Sequence, residues 1–238
     1  MFNEFNEAEL AKREVQRAAE ELLESTKRTM LESDMVAPRK KGTKLFDTEM
    51  KTRLTEAVNR IEPNHTAEGL SLWALTDGEK QRLRNIGMSS ANIDRCRIDE
   101  KGVFHLDCRN SSLEGTRHTV TGVSFERRQI SINDVRIEGV FPKFHSVMEL
   151  QLPEKLCHAT ESDQFSYLNA QLQEAINRDP WLRAKFTEQQ IKMIETGRNP
   201  AGFTWHHNES CGAMQLVETT KHAATGHTGG DSIWCGRE

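Results

Sequence analysis

One segment near the C-terminus constrains the fold more than any other. It is Gly-Phe-Thr-Trp-His-His, a loop, Met-Gln-Leu-Val, then Lys-His-Ala-Ala-Thr-Gly-His-Thr-Gly-Gly, over residues 202–230. Four of the chain's nine histidines, His206, His207, His222 and His227, fall in it. Residues 203–206 read as a short strand, Asn-Glu-Ser-Cys-Gly-Ala as a loop, and 214–217 as a second strand. Thr219 or Thr220 can cap a short helix running through His222 to about Thr225. Neighbours on a strand point to opposite faces, so His206 and His207 cannot serve one ion in the same way. One can face an ion while the other faces a groove. His222 and His227 are five apart, which is off a single helix face. A helix ended by a left-handed Gly226 lets His227 swing back toward His222. Imidazoles from strand, helix and turn then enclose one ion and leave a position open for water or phosphate, as a catalytic site requires.

The residues upstream punctuate cleanly. Thr160 or Ser162 can cap a helix carrying Phe165, Leu168, Leu172 and Ile176. Asp179 and Pro180 are an N-cap and first-turn pair. Thr187 and Gln190 make a capping box for a third helix bearing Ile191 and Ile194. Gly197 stands at a helix C-terminus, and Pro200 prevents continuation.

The segment closely resembles the ββα-metal fold of HNH nucleases, and more narrowly the Trp-His-His branch found as nuclease domains of bacterial polymorphic toxins. The residues quoted above carry the likeness. Gly-Val-Phe-Pro-Lys-Phe at 139–144 and the pattern running from Phe165 to Gly202 extend it over roughly the last hundred residues. The resemblance implies a general base that activates water, carried to His207, and three metal ligands, carried to His206, His222 and His227. Gln215 stands where the family's middle residue, often Asn, orients the base or braces the loop. The implied cofactor is one divalent ion, with zinc, magnesium, manganese and nickel all open.

The chemistry agrees with those roles. A divalent ion stabilises charge on a scissile phosphate, and imidazole is the side chain whose ordinary pKa best suits taking a proton from water near neutrality. Lys221 is a candidate phosphate contact, with Arg198 and Lys143 as further ones. The other histidines, His65, His105, His118, His145 and His158, read as structural. Two other readings stay open. One is a zinc-stapled interaction module without catalysis, its fourth position closed by Cys211 or Cys235. The other is a phage or housekeeping HNH endonuclease.

A net charge of -4 argues against a general nucleic-acid coat protein but leaves room for an enzyme with a local basic groove. The five cysteines form no Cys-x-x-Cys pair, which favours a reduced protein, although a Cys96–Cys108 bridge is conceivable. No apolar run approaches a membrane span, so no membrane insertion is expected. The acidic, amphipathic N-terminus is no secretory signal.

The expected organisation is α+β in three parts: a helical leader with a basic linker at 1–44, a helical and β middle region at 45–115, and a nuclease domain at 116–238 with its metal finger at about 202–230. Residues 4–32 read as one long helix packed on the body or on a copy of itself, with docking to a secretion carrier or chaperone as the alternative. Residues 45–93 read as mostly helical, with breaks at Glu-Pro-Asn-His (62–65) and Thr-Asp-Gly-Glu (76–79). A small antiparallel sheet is expected over about 96–141, with turns at 99–102 and at Asn133-Asp134. The implied activity is cleavage of DNA with little sequence specificity by an antibacterial effector. Its producer holds it in the cytoplasm with an immunity protein and exports it without a signal peptide, to act in the cytoplasm of a target bacterium.

Overall fold

The computed structural model describes residues 64–65 and 69–236. The chain falls into two compact units, 1–74 and 75–238. The expected helix at 4–32 and the linker at 37–44 lie outside the described residues. In the first unit, β1 (Asn64–His65) pairs antiparallel with β2 (Ser71–Leu72). These strands interrupt the stretch expected to be mostly helical. Pro63 cannot donate to a helix ladder, and Gly69 turns the chain at φ +79.

The second unit is mixed α+β and runs straight through the expected 115/116 boundary. It opens with α1 (Asp77–Asn85) and α2 (Ser90–Ile93). Thr76-Asp-Gly-Glu, expected as a break, is the capping box that starts α1: Thr76 Oγ1 accepts from Glu79 N, and the Glu79 carboxylate accepts from Thr76 N. Strands β3 (Cys96–Ile98) and β4 (Phe104–Leu106) form the expected hairpin. Asp99 Oδ1 closes its turn by accepting from Lys101 N and Val103 N. Strands β5 (Ser124–Ile132) and β6 (Val135–Lys143) pair along their full length through a turn at which Asn133 sits left-handed, φ 53.

This sheet has the order β3-β4-β6-β5 and is mixed, because β4 runs parallel to β6, Phe104 opposite Ile137. The expectation of a purely antiparallel sheet is corrected here. The long connection at 107–123 carries the chain past the sheet before β5, and such a connection is what parallel pairing needs. Cys96 and Cys108 are both free thiols, so no bridge joins them.

A second sheet has the order β7-β9-β8, with β7 (Ser146–Gln151), β8 (Phe203–His207) and β9 (Ala213–Glu218). Between β7 and β8 lie four helices: α3 (Glu154–Cys157), α4 (Glu161–Arg178), α5 (Pro180–Arg183) and α6 (Glu188–Glu195). Thr160 caps α4, Asp179 caps α5 and Thr187–Gln190 boxes α6, as their sequences require. Helix α4 buries Leu168, Leu172 and Ile176, and with them two amides, Gln164 and Asn169. The chain closes with α7 (Thr219–Ala224) and α8 (Asp231–Trp234).

Gly230 joins α8 to the end of β8. Its N–H donates to the His207 carbonyl at 2.9 Å, and a Cβ there would lie 1.9 Å from the Asn208 carbonyl oxygen and 2.4 Å from Trp234 Nε1. Nothing rigid on either side can yield. Gly230→Ala is expected to destabilise this unit by about 1–3 kcal/mol through overpacking, seen as a lowered urea midpoint at unchanged slope.

Candidate metal centre

The centre is assembled from three elements. His206 comes from β8, where it stands opposite Gln215, while His207 stands opposite Met214. Alternation therefore separates the two histidines onto opposite faces of the sheet.

His222 comes from α7, which begins directly after β9. Its N-cap is Glu218 with no side-chain cap; Thr219 and Thr220, expected as caps, are inside the helix. The chain moves from strand to helix without an intervening loop, so those hydroxyls come too late to cap.

His227 comes from the turn after α7. The expected left-handed Gly226 is not found: the helix stops at Thr225 in extended geometry, φ -95 and ψ 94, and Gly226 is not among the positive-φ glycines. The space beside Gly226 is taken by the end of an arginine side chain. A Cβ on Gly226 would come within 2.6 Å of Arg109 Nε. Three contacts bind this turn to the segment before β5. Arg109 N donates to Thr228 Oγ1 at 2.9 Å, Asn110 Nδ2 donates to the Gly226 carbonyl, and the Thr225 and Thr121 hydroxyls meet at 2.7 Å.

The three rings converge almost equilaterally. Centroids are 5.1 Å apart for His206–His222, 4.9 Å for His206–His227 and 5.0 Å for His222–His227. Phe144 packs against all three, at 4.8, 5.5 and 5.2 Å, and gives the cluster an apolar floor. Burial is the main force keeping the rings neutral, and they reinforce one another. His206 is held well below the ordinary imidazole value by burial and then by its histidine neighbours. His222 is lowered to about 4, again by burial first and His227 next. His227 is lowered by burial, partly opposed by its bond to Thr225 and assisted by the charge of Arg109.

The donor set fits a divalent ion. His227 Nδ1 can only donate to the Thr225 carbonyl, at 2.7 Å, so its lone pair is on Nε2. His206 Nδ1 and His222 Nε2 lie 3.2 Å apart. Two nitrogens on a tetrahedral ion with bonds of about 2.0–2.1 Å would sit about 3.3 Å apart. The other nitrogen of that ring, His206 Nε2, is buried with no hydrogen-bond partner. One potential ligand atom from each ring lies within 4.8 Å of the others. Among the described residues neither Cys211 nor Cys235 joins this group; Cys235 instead lies with His207 and Asp231. A cavity of about 340 Å³ opens beside the cluster, lined also by Glu161, His207 and Ser232.

On the opposite face, His207 Nε2 meets Gln164 Oε1 at 2.7 Å. Phe165 stacks on the His207 ring at 6.0 Å and Trp234 flanks it at 5.6 Å. The sequence expectation had Gln215 in the orienting place. Its amide nitrogen instead donates to Glu149 Oε1 at 2.8 Å, because register puts it across from His206.

Each expected phosphate contact has a partner on the exposed surface. Lys221 pairs with Glu218 at 3.0 Å, Lys143 with Glu126 at 3.2 Å, and Arg198 Nε donates to Thr196 Oγ1 at 3.1 Å. The residues the sequence did not single out are Gln164, Phe144 as the floor of the cluster, and Arg109. A polar side chain at a core-facing position of the α4 stripe was the one available signal for Gln164. Among the expected structural histidines, His105 is held between Asp99 and Glu138.

Residues 133–229 match the family model of the DNase/tRNase domain of colicin-like bacteriocins. The match spans less than half of the chain, contains all four histidines, and supports a bacteriocin-type nuclease domain in this part. No curated protein and no solved structure matches the chain.

Because the three imidazoles have lower pKa values folded than unfolded, protons bind the unfolded chain more tightly. The stability they confer is complete above the unfolded value of about 6.5 and is lost as pH falls through that value toward 4. In EDTA, the melting temperature is expected to drop over this window, and a His222→Phe variant to drop less.

Proposed function

We propose that this protein is an HNH-type, ββα-metal endonuclease that hydrolyses phosphodiester bonds of DNA with little sequence specificity. The observation that carries the reading is the convergence of three neutral imidazoles on a point next to an open cavity. His206, His222 and His227 would hold a divalent ion: zinc, magnesium, manganese or nickel. Such an ion stabilises the charge that develops on the phosphate under attack. The group is made of three imidazoles without a cysteine, which favours catalysis over a structural knuckle, where protein ligands close all four positions.

His207 is the general base in this reading, and the fold prepares it. The Gln164 amide nitrogen donates to the carbonyls of Leu156, at 2.8 Å, and Cys157, at 3.1 Å. That fixes which end of the amide is which, so Oε1 faces His207 and accepts its Nε2–H. The proton of the neutral ring therefore sits on Nε2, and Nδ1 carries the lone pair that takes a proton from water. Gln164 has no exposed surface, so bulk water does not compete for this hydrogen bond.

In the biology that goes with this activity, the chain is the toxin of an interbacterial competition system. An immunity protein neutralises it in the cytoplasm of its producer. It acts in the cytoplasm of a target cell. A carrier or chaperone contact through the N-terminal part completes the proposal. No helix among the described residues is long and apolar enough to cross a membrane.

Purified protein is expected to nick supercoiled plasmid with added divalent ion and to stop in EDTA. His207→Ala should lower the rate at least about 100-fold while keeping the rise in melting temperature that ion binding gives. His206→Ala and His222→Ala should lose that rise. Gln164→Leu should slow cleavage about tenfold with the rise retained. Absence of cleavage of both plasmid and RNA with every ion tried would sink the reading.

A further inference from the structure

Two thiols outside the metal centre are hydrogen-bonded to one another, those of Cys157 and Cys211. They come from distant segments: Cys157 ends α3, and Cys211 stands in the loop between β8 and β9. The backbone sets up their approach. Leu152 N donates to the Gly212 carbonyl at 2.8 Å, and Gln151 Nε2 donates to the Cys211 carbonyl at 2.9 Å. These bonds hold the loop against the chain entering α3. A Cβ on Gly212 would lie 3.1 Å from Cys157 Sγ, so that sulfur sits directly beside the residue after Cys211.

Accessibility separates this pair from the other thiols. Cys96, Cys108, Cys157 and Cys235 are buried, whereas Cys211 is half-buried. Cys211 is the sulfur that an external reagent reaches first, and Cys157 lies behind it. What the pair joins gives a bond between them a consequence. The Cys157 carbonyl is one of the two acceptors that hold Gln164 Nε2, and Gln164 in turn holds His207. The loop 208–212 leaves His207 directly, and its Glu209 pairs with Arg128 at 2.7 Å. A Cys157–Cys211 bond ties together the two segments that flank His207.

We propose that Cys157 and Cys211 form a reversible disulfide by exchange with a small-molecule disulfide of the glutathione class, and that this bridge fastens the loop after His207 to the end of α3. The Cys211 thiolate attacks one sulfur of the reagent, a new S–S bond forms, and a glutathione thiolate leaves. The Cys157 thiolate then attacks the Cys211 sulfur and releases the second glutathione. The two cysteines give up two protons and two electrons, and one glutathione disulfide becomes two thiols. The bridge predominates in disulfide-rich surroundings and the open pair in a thiol-reduced cytoplasm. Burial pushes the Cys211 thiol up to about 11. Thiolate is therefore scarce at neutrality, and the first step accelerates about tenfold per pH unit between about 7 and 9.

The test is incubation of the full chain with oxidised glutathione at about pH 8. Thiols titrated in denaturant should fall by two from the chain's five. A non-reducing peptide map should show one crosslink, Cys157 to Cys211. The melting temperature should rise by about 5–15 °C, since the bridge closes a long loop, and dithiothreitol should reverse all of these changes. In Cys157→Ser, Cys211 should stop at the mixed disulfide, seen by mass as one glutathione adduct, without that rise. Five thiols remaining at equilibrium overturn the proposal. So does a crosslink between any other pair, or a bridge that leaves the melting temperature unchanged or lower. The map is made on the parent chain, so it decides the matter even if Cys157→Ser fails to fold.

Discussion

Three imidazoles packed within about 5 Å of one another, over a phenylalanine, are the constraint on which the rest of this unit depends. Such a cluster has little intrinsic stability. Each ring gives up hydration, each discourages its neighbours from taking a proton, and one ring nitrogen ends buried without a partner. The cluster persists because each ring is tied down from outside. The β8–β9 ladder fixes His206, the direct strand-to-helix passage fixes His222, and the tethers from residues 109–121 fix the turn that carries His227.

Strand alternation divides the chemistry between two faces. The His206 face gathers the electron-pair donors. The His207 face meets helix α4, which reads the strand through two buried amides. Asn169 Oδ1 accepts from Trp205 Nε1 at 2.9 Å, and Gln164 holds His207. Trp205 is thereby an anchor with a satisfied N–H, and it locks the register that places the two adjacent histidines. A slip of one residue would exchange their faces and abolish the division of roles.

The bacteriocin-type match begins at 133, yet the compact unit begins at Leu75. Residues 75–132 supply α1, the outer strands of the mixed sheet, and the only described contacts of the 225–228 turn with the segment before β5. They are structural partners of the centre and not a separate attachment. A nuclease trimmed to the matched residues would lose Arg109, Asn110 and Thr121, and with them the hold on the third histidine.

Much of this was legible in the sequence because it is governed by local rules. The Thr187–Gln190 capping box, the Asp179-Pro180 start and the strand β8 depend on neighbours within four residues, and they appear where the chain spells them. The convergence of His206, His222 and His227 was also legible, since strand, helix and turn lie within one short segment. Tertiary structure decided what depends on distant partners. The parallel pairing of β4 with β6, the third strand β7, Gln164 in place of Gln215 beside His207, and Arg109 against Gly226 all join residues from 30 to more than 100 positions apart. Sequence suggested a left-handed Gly226 ending the helix. The fold instead keeps Gly226 out of the left-handed region and sets beside it the Arg109 guanidinium, a neighbour that no local pattern encodes.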